Sequence, residues 1–168
     1  DSSVLRETTP YLPKQYPDET RINIADLNGS EENKQASLKF TEATLDCKED
    51  AEALVQDTIG VIRHLKNIQA SGSERAAQRF IISNCQQASD ILALMQLFLW
   101  QGWTKEDLTI DFVPLFETVD DLSRASDVMR TLYTNTNYAS HLKKRGNKQT
   151  IMLGFSDSTK DGGYLMAN

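Results

Sequence analysis

Glu117, Asp157 and Lys160 are the residues whose types and surroundings could do chemistry. Asp157 and Lys160 lie in Gly154-Phe155-Ser156-Asp157-Ser158-Thr159-Lys160-Asp161-Gly162-Gly163, where an apolar run over 150–155 gives way to small hydroxyl residues around an acid and an amine, then to paired glycines. Such a change is expected where backbone must approach a charged ligand closely. Glu117 closes a second apolar run, over 109–116. The next residues, Thr118-Val119-Asp120-Asp121, have the form of a capping box, which starts a helix at Thr118 and leaves the Glu117 carboxylate beside the positive end of its dipole. Two carboxylates with hydroxyl and water neighbours are hard oxygen ligands, suited to magnesium or manganese, which keep waters and take further oxygens from a substrate. Lys160 would then face an anionic substrate or phosphate as a point charge, helped by amides around Gly162 and Gly163 if a helix begins there. None of these patterns is specific alone: Glu117 also reads as a helix-start acid, Asp157 and Ser158 as an Asx-type turn, Lys160 as a solvated side chain, and the glycines as turn residues. A phosphate-loop motif fails, because Thr159 stands where Gly should precede the lysine and Asp161 where Ser or Thr should follow it.

These side chains need elements that bring them together. Ala51, Leu54, Val55, Thr58, Ile59, Ile62 and Leu65 recur at spacings of three and four, which predicts a helix over 48–68, ended by Ser71-Gly72-Ser73. Phe80-Ile81-Ile82 predicts a buried strand over 79–84. Ser89-Asp90 then cap a helix running to Trp100 or Trp103, apolar almost all round and so expected to be buried inside something larger or against missing partners. A second strand over 109–116 carries Pro114 near its end; Leu122, Ala125, Val128, Met129 and Leu132 mark a third helix, 138–144 a shorter one, and 149–155 a third strand. Strands alternating with helices predict a parallel sheet whose right-handed crossovers send every strand's C-terminal end to one edge. Glu117 and Asp157, one or two residues beyond the second and third strands, would therefore meet at one rim.

The 168 residues suit one ordinary domain. Eighteen basic against twenty-four acidic residues give a formal charge of -6, which argues against nucleic acid and anionic membrane as partners. The one basic cluster, Lys143-Lys144-Arg145 before Gly146, fits the negative end of a helix with a glycine cap. Cys47 and Cys85 have no Cys-x-x-Cys spacing and read as reduced thiols. Zinc is disfavoured because His64 and His141 are isolated, and both are expected to be structural or solvated. With no charged-then-apolar leader at Asp1, and with Gln96 interrupting the longest apolar stretch, the expectation is a soluble, cytoplasmic protein.

Pro114-Leu115-Phe116-Glu117-Thr118-Val119-Asp120-Asp121-Leu122 and the stretch from Gly154 to Gly163 resemble two signature segments of the phosphoenolpyruvate carboxylase family. Phe80-Ile81-Ile82-Ser83-Asn84 with Ser89-Asp90-Ile91-Leu92 resembles a third, in the same order and at matching separation, so that the resemblance covers roughly 73–166 and is weak over 4–72. It implies a helix-rich α/β fold, part of an eight-stranded TIM-like (β/α) barrel with about three parallel strands here. The chain then reads as a single truncated domain, 1–45 being loops and short helices and 46–168 a helix plus a βαβαβ barrel segment. The implied enzyme joins bicarbonate to phosphoenolpyruvate, giving oxaloacetate and phosphate, with magnesium or manganese, as a homotetramer.

By the same resemblance Glu117 and Asp157 match the family's metal-binding Glu and Asp, and Lys160 its active-site Lys. Phe155 stands where the family often has Tyr, and Thr159 where it has a small residue. The family's catalytic His matches nothing here, and its Gly-rich segment with essential His and Arg residues falls beyond Asn168, so neither His64 nor His141 inherits those roles. Asp1-Ser2-Ser3 resembles the tail of the family's Arg-Gln-Asp-Ser element. The isolated chain is therefore expected to be inactive, to bind metal weakly and to self-associate through an open sheet edge. Two other readings fit the same residues: a different metal-dependent enolate enzyme on a related barrel, and a non-catalytic acidic interaction domain.

Overall fold

The computed structural model describes residues 30–32, 35, 38, 40, 42 and 53–167, apart from the side chains at 54, 55, 166 and 167. Most of the segment expected to form loops and short helices, together with Ala51 and Cys47, lies outside these residues. Helix α1, Ala53–Ser71, turns Ile59 and Ile62 into the core and stops where the Ser-Gly-Ser signal placed its end. A short 3-10 turn, Glu74–Ala77, leads into strand β1, Arg79–Ile82. Helix α2 spans Ala88–Trp100, β2 Asp111–Phe116, α3 Val119–Thr134, α4 Thr136–Lys144, β3 Met152–Leu153, α5 Phe155–Gly162 and α6 Tyr164–Ala167.

The three strands form one sheet in the order β1-β2-β3, and both pairings are parallel. The expected alternation of strands and helices is thus realised as a helix-rich α/β architecture. Among the described residues the sheet is open, with β1 and β3 as its edges, and does not close into a barrel. Pro114 is the last β2 residue in register with β1, opposite Ile82; from Leu115 onward β2 pairs instead with β3, Leu115 opposite Met152 and Phe116 opposite Leu153. A residue without an N–H fits such a handover, where one ladder stops and another begins.

Helix α2 is buried at every residue except Ala93. Its partners come from this chain rather than from missing ones: Phe98 makes edge contacts with Phe80 and Phe112, both at 5.3 Å between centroids, and a tilted one with Trp103 at 5.6 Å. Its cap also differs from expectation. Gln87 takes the N-cap position, and the Asp90 carboxylate accepts hydrogen bonds from the Gln86 and Gln87 amides, each at 3.0 Å. Ser89 looks elsewhere: its hydroxyl donates to Glu31 at 2.7 Å.

The third strand is shorter than its apolar run because side-chain and helical bonding take over at both ends. The Gln149 amide donates to the Phe112 carbonyl at 2.9 Å, standing in for a backbone rung, and Tyr138 Oη donates to Gln149 Oε1 at 2.7 Å. From Phe155 the chain is already helical. Helix α4 begins at Asn135, whose side-chain oxygen accepts from the Asn137 and Tyr138 amides. It ends as the glycine signal implied, with Gly146 at φ +72° and the Asn147 amide donating back to the Leu142 carbonyl at 2.9 Å.

The isolated residues set aside in the sequence are framework. His141 is buried, and burial pushes its imidazole down to about 4 although the Ile110 carbonyl, 3.0 Å from Nε2, favours a bound proton. His64 is exposed. Cys85 is a free, buried thiol, pushed up to about 12 by burial and then by Asp90, Asp121 and Glu31. Among the described residues no helix is long and apolar enough to cross a membrane.

Candidate active site

Glu117 directly follows β2 and is half-buried. The capping box read from the sequence forms beside it: Thr118 Oγ1 accepts from the Asp121 amide at 3.1 Å, and Asp121 Oδ2 accepts from the Thr118 amide at 3.2 Å. These bonds satisfy two of the first free amides of α3 and leave the Glu117 side chain out of its own helix start.

Across the sheet, β3 delivers Gly154 against this residue. The Gly154 amide donates to the Phe116 carbonyl at 2.9 Å. A Cβ built on Gly154 would overlap Glu117 Cβ outright, standing 3.1 Å from its Cα and 3.4 Å from its Oε2. Only glycine permits that approach, and the carboxylate oxygen consequently lies over the point where α5 begins.

Helix α5 carries the other two expected residues, where the sequence also allowed an Asx-type turn. Asp157 sits in its first turn and Lys160 in its last, four residues or more beyond the end of β3 rather than one or two. They form an exposed pair, Lys160 Nζ to Asp157 Oδ1 at 3.1 Å, of the kind that contributes at most about 1 kcal/mol. The stretch is thus helical rather than an Asx-type turn. Helix α5 ends at Gly162 and the four-residue α6 begins at Tyr164, just past the paired glycines; Gly163, at φ +79°, donates its amide to the Thr159 carbonyl at 2.9 Å, so that amide serves the end of α5 and not an anion.

The structure therefore brings Glu117 to Gly154, and Asp157 to Lys160. It also adds three residues that sequence reasoning did not single out. Gly154 permits the close approach, and a glycine directly after an apolar run was its signal. Ser158 is buried and donates to the Gly154 carbonyl at 2.9 Å. The Asp161 carboxylate accepts from the Val119 amide at 2.9 Å, a link across forty-two positions that nothing in the local sequence announces.

Two carboxylates and their waters suit a magnesium or manganese ion that draws its remaining oxygens from substrate. Among the described residues there is no group of three or more His, Cys, Asp or Glu able to hold a metal. As hard oxygen donors the two carboxylates would suit magnesium or manganese rather than zinc.

With this geometry in place, comparison with known proteins decides the family. The family model described as phosphoenolpyruvate carboxylase matches residues 25–168, a span that includes β1, β2 and both candidate segments. The chain belongs to the phosphoenolpyruvate carboxylase family. A phosphoenolpyruvate carboxylase of Prochlorococcus marinus subsp. pastoris is 34% identical over 178 aligned positions, covering 99% of this chain and 17% of that protein. One of Nitrosomonas eutropha is 33% identical over 99% of the chain and 18% of its own length, and one of Corynebacterium diphtheriae is 46% identical over 56% of the chain and 10% of its own. The chain thus spans about a sixth of the length of the phosphoenolpyruvate carboxylases it matches end to end. The match also reaches well upstream of residue 73, where the signature segments by themselves left the resemblance weak.

Proposed function

We propose that this chain is the metal-holding portion of an enzyme that carboxylates phosphoenolpyruvate with bicarbonate, giving oxaloacetate and phosphate. The observation that carries the reading is the approach of Glu117 to Gly154 at the start of the helix bearing Asp157 and Lys160, within a span that the family model matches throughout. Glu117 and Asp157 hold magnesium or manganese, and Lys160 faces the anionic substrate. A bound dication supplies positive charge at substrate oxygens where negative charge develops.

The protein's own contribution is placement. Glu117 is fixed by the end of β2 and by a helix start that does not need its carboxylate. Asp157 and Lys160 share one face of α5, so that if the Asp157 carboxylate held a cation, the Lys160 ammonium would be left to face a phosphate or carboxylate. The chain spans only about a sixth of the length of the relatives it matches end to end, so most of a complete active site would lie outside it. The isolated chain accordingly binds metal weakly and does not turn over. The whole enzyme is cytoplasmic and tetrameric, its sheet continuing into a barrel.

Manganese binding to the purified chain, followed by water-proton relaxation, tests the pair. A dissociation constant in roughly the millimolar range is expected, weakened tenfold or more by Glu117→Ala and by Asp157→Ala. Binding that both substitutions leave unchanged overturns the reading and favours a non-catalytic acidic domain. Oxaloacetate formation by the chain alone, given phosphoenolpyruvate, bicarbonate and manganese, would overturn the incomplete-site part of it.

A further inference from the structure

Helix α5 has eight residues, too few to hold a position by itself, since helices this short are marginal without tertiary support. Its two functional side chains are exposed, with the Asp157 and Lys160 side chains 59% and 77% accessible. Their own contacts therefore cannot fix where they stand. Something else must set the helix relative to Glu117.

Two tethers do so, one at each end. At the first, Gly154 is bonded to the Phe116 carbonyl and lies so close to Glu117 that a methyl group would not fit. At the second, the Asp161 carboxylate accepts from the Val119 amide at 2.9 Å. Asp161 lies one turn beyond Asp157, on the same side of α5, and Val119 lies two residues beyond Glu117. Helix α3 already has a complete capping box in Thr118 and Asp121, so the bond to Asp161 is not what starts that helix. The carboxylate is nevertheless favoured there by the positive end of the α3 dipole.

We propose that Asp161 and Gly154 are positioning residues that hold the Asp157–Lys160 helix at a fixed setting from Glu117, so that both acids can share one cation. This rests on the reading of Glu117 and Asp157 as the metal-holding pair. Asp161 acts through its hydrogen bond and not as a third ligand, in keeping with the absence of a three-acid group among the described residues.

The test uses the whole 168-residue chain with manganese alone as probe, and follows amide hydrogen exchange at Val119 in parallel. Asp161→Ala is expected to weaken manganese about tenfold, the usual effect of removing a partner behind the ligands, and to speed Val119 exchange. Asp161→Asn, whose side-chain oxygen still accepts, stays within about twofold of wild type in both readouts. Gly154→Ala is expected to weaken manganese to a similar degree while the Val119 amide remains protected.

Equal manganese affinity in wild type and Asp161→Ala overturns the proposal, and so does an Asn variant as weak as Ala, which would make Asp161 a charge or a ligand. If Asp161→Ala fails to fold, Val119→Pro serves instead: it removes the donor at the first helical position, where proline is tolerated, and is expected to weaken manganese equally. A wild-type chain with no manganese site dependent on Glu117 and Asp157 defeats the proposed function. The clamp is then judged by the Val119 amide, and rapid exchange there in wild type overturns it.

Discussion

The His141 imidazole packs against Phe112 and Tyr138 and donates its Nε2 hydrogen to the Ile110 carbonyl, while Nδ1 has no partner among the described residues. A second proton would have to enter a buried site beside Arg145 and Lys144, and the imidazole is held down to about 4, against 6.5 when free. Because the folded value lies below the unfolded one, the unfolded chain takes up a proton first as the pH falls, and stability is lost between about pH 6.5 and 4. The full effect is on the order of 3 kcal/mol. Thermal melting across that range should show wild type losing more stability than His141→Gln, which keeps an N–H donor and does not titrate; parallel profiles would contradict this. The same residue scale explains why Glu117 remains available. Its neighbours Thr118 and Asp121 satisfy the helix start between themselves, and Gly154 clears the space in front of it.

Elements are joined here by a few polar ties laid over an apolar core. Arg145, just past α4, reaches Asp111 at the start of β2 at 2.7 Å and Glu74 in the 3-10 turn at 2.6 Å, and is 14% exposed. It locks together three pieces far apart in sequence, whereas the run Lys143-Lys144-Arg145 suggested only a cationic helix end. Removing a half-buried partner leaves Asp111 uncompensated, a loss between the surface and buried limits, so Arg145→Ala should cost about 2 kcal/mol in denaturant unfolding. Arg145→Lys should recover only part, since a single ammonium cannot serve two carboxylates with a planar fork. A loss below about 0.5 kcal/mol for Arg145→Ala would place this tie among ordinary surface pairs.

At the scale of the whole molecule the burial is lopsided. Helix α2 and strand β2 are covered, but the β3 edge exposes Ile151, Met152, Leu153 and Phe155, with Tyr164 and Leu165 beyond them. An open parallel edge with apolar side chains is a template for further pairing. The isolated chain is expected to show concentration-dependent mass in sedimentation, and Leu153→Lys, at an exposed edge position, to shift it toward monomer without lowering the melting temperature by more than a few degrees. A chain monomeric at all concentrations would show that this edge is satisfied by itself.

Periodicity and apolar runs determined the element types and their order, because a helix that must bury one face writes its repeat into the residues, as Ile59 and Ile62 do in α1, and a strand covered on both faces reads as a continuous apolar run, as β2 does. The Thr118–Asp121 box and the Gly146 cap were legible for the same reason: their partners lie within one turn. So were Glu117, Asp157 and Lys160 as candidates, through residue types and the signature segments around them. What only the tertiary structure decided involves partners far apart in the chain. The helix in place of a turn around Asp157, the side chain of Gln149 ending a strand, Gly154 pressed on Glu117 and Asp161 reaching Val119 each depend on where β2 and β3 lie side by side. Local sequence carries the free energy of a turn or a face, but a bond across forty-two positions exists only once the sheet register has closed the distance.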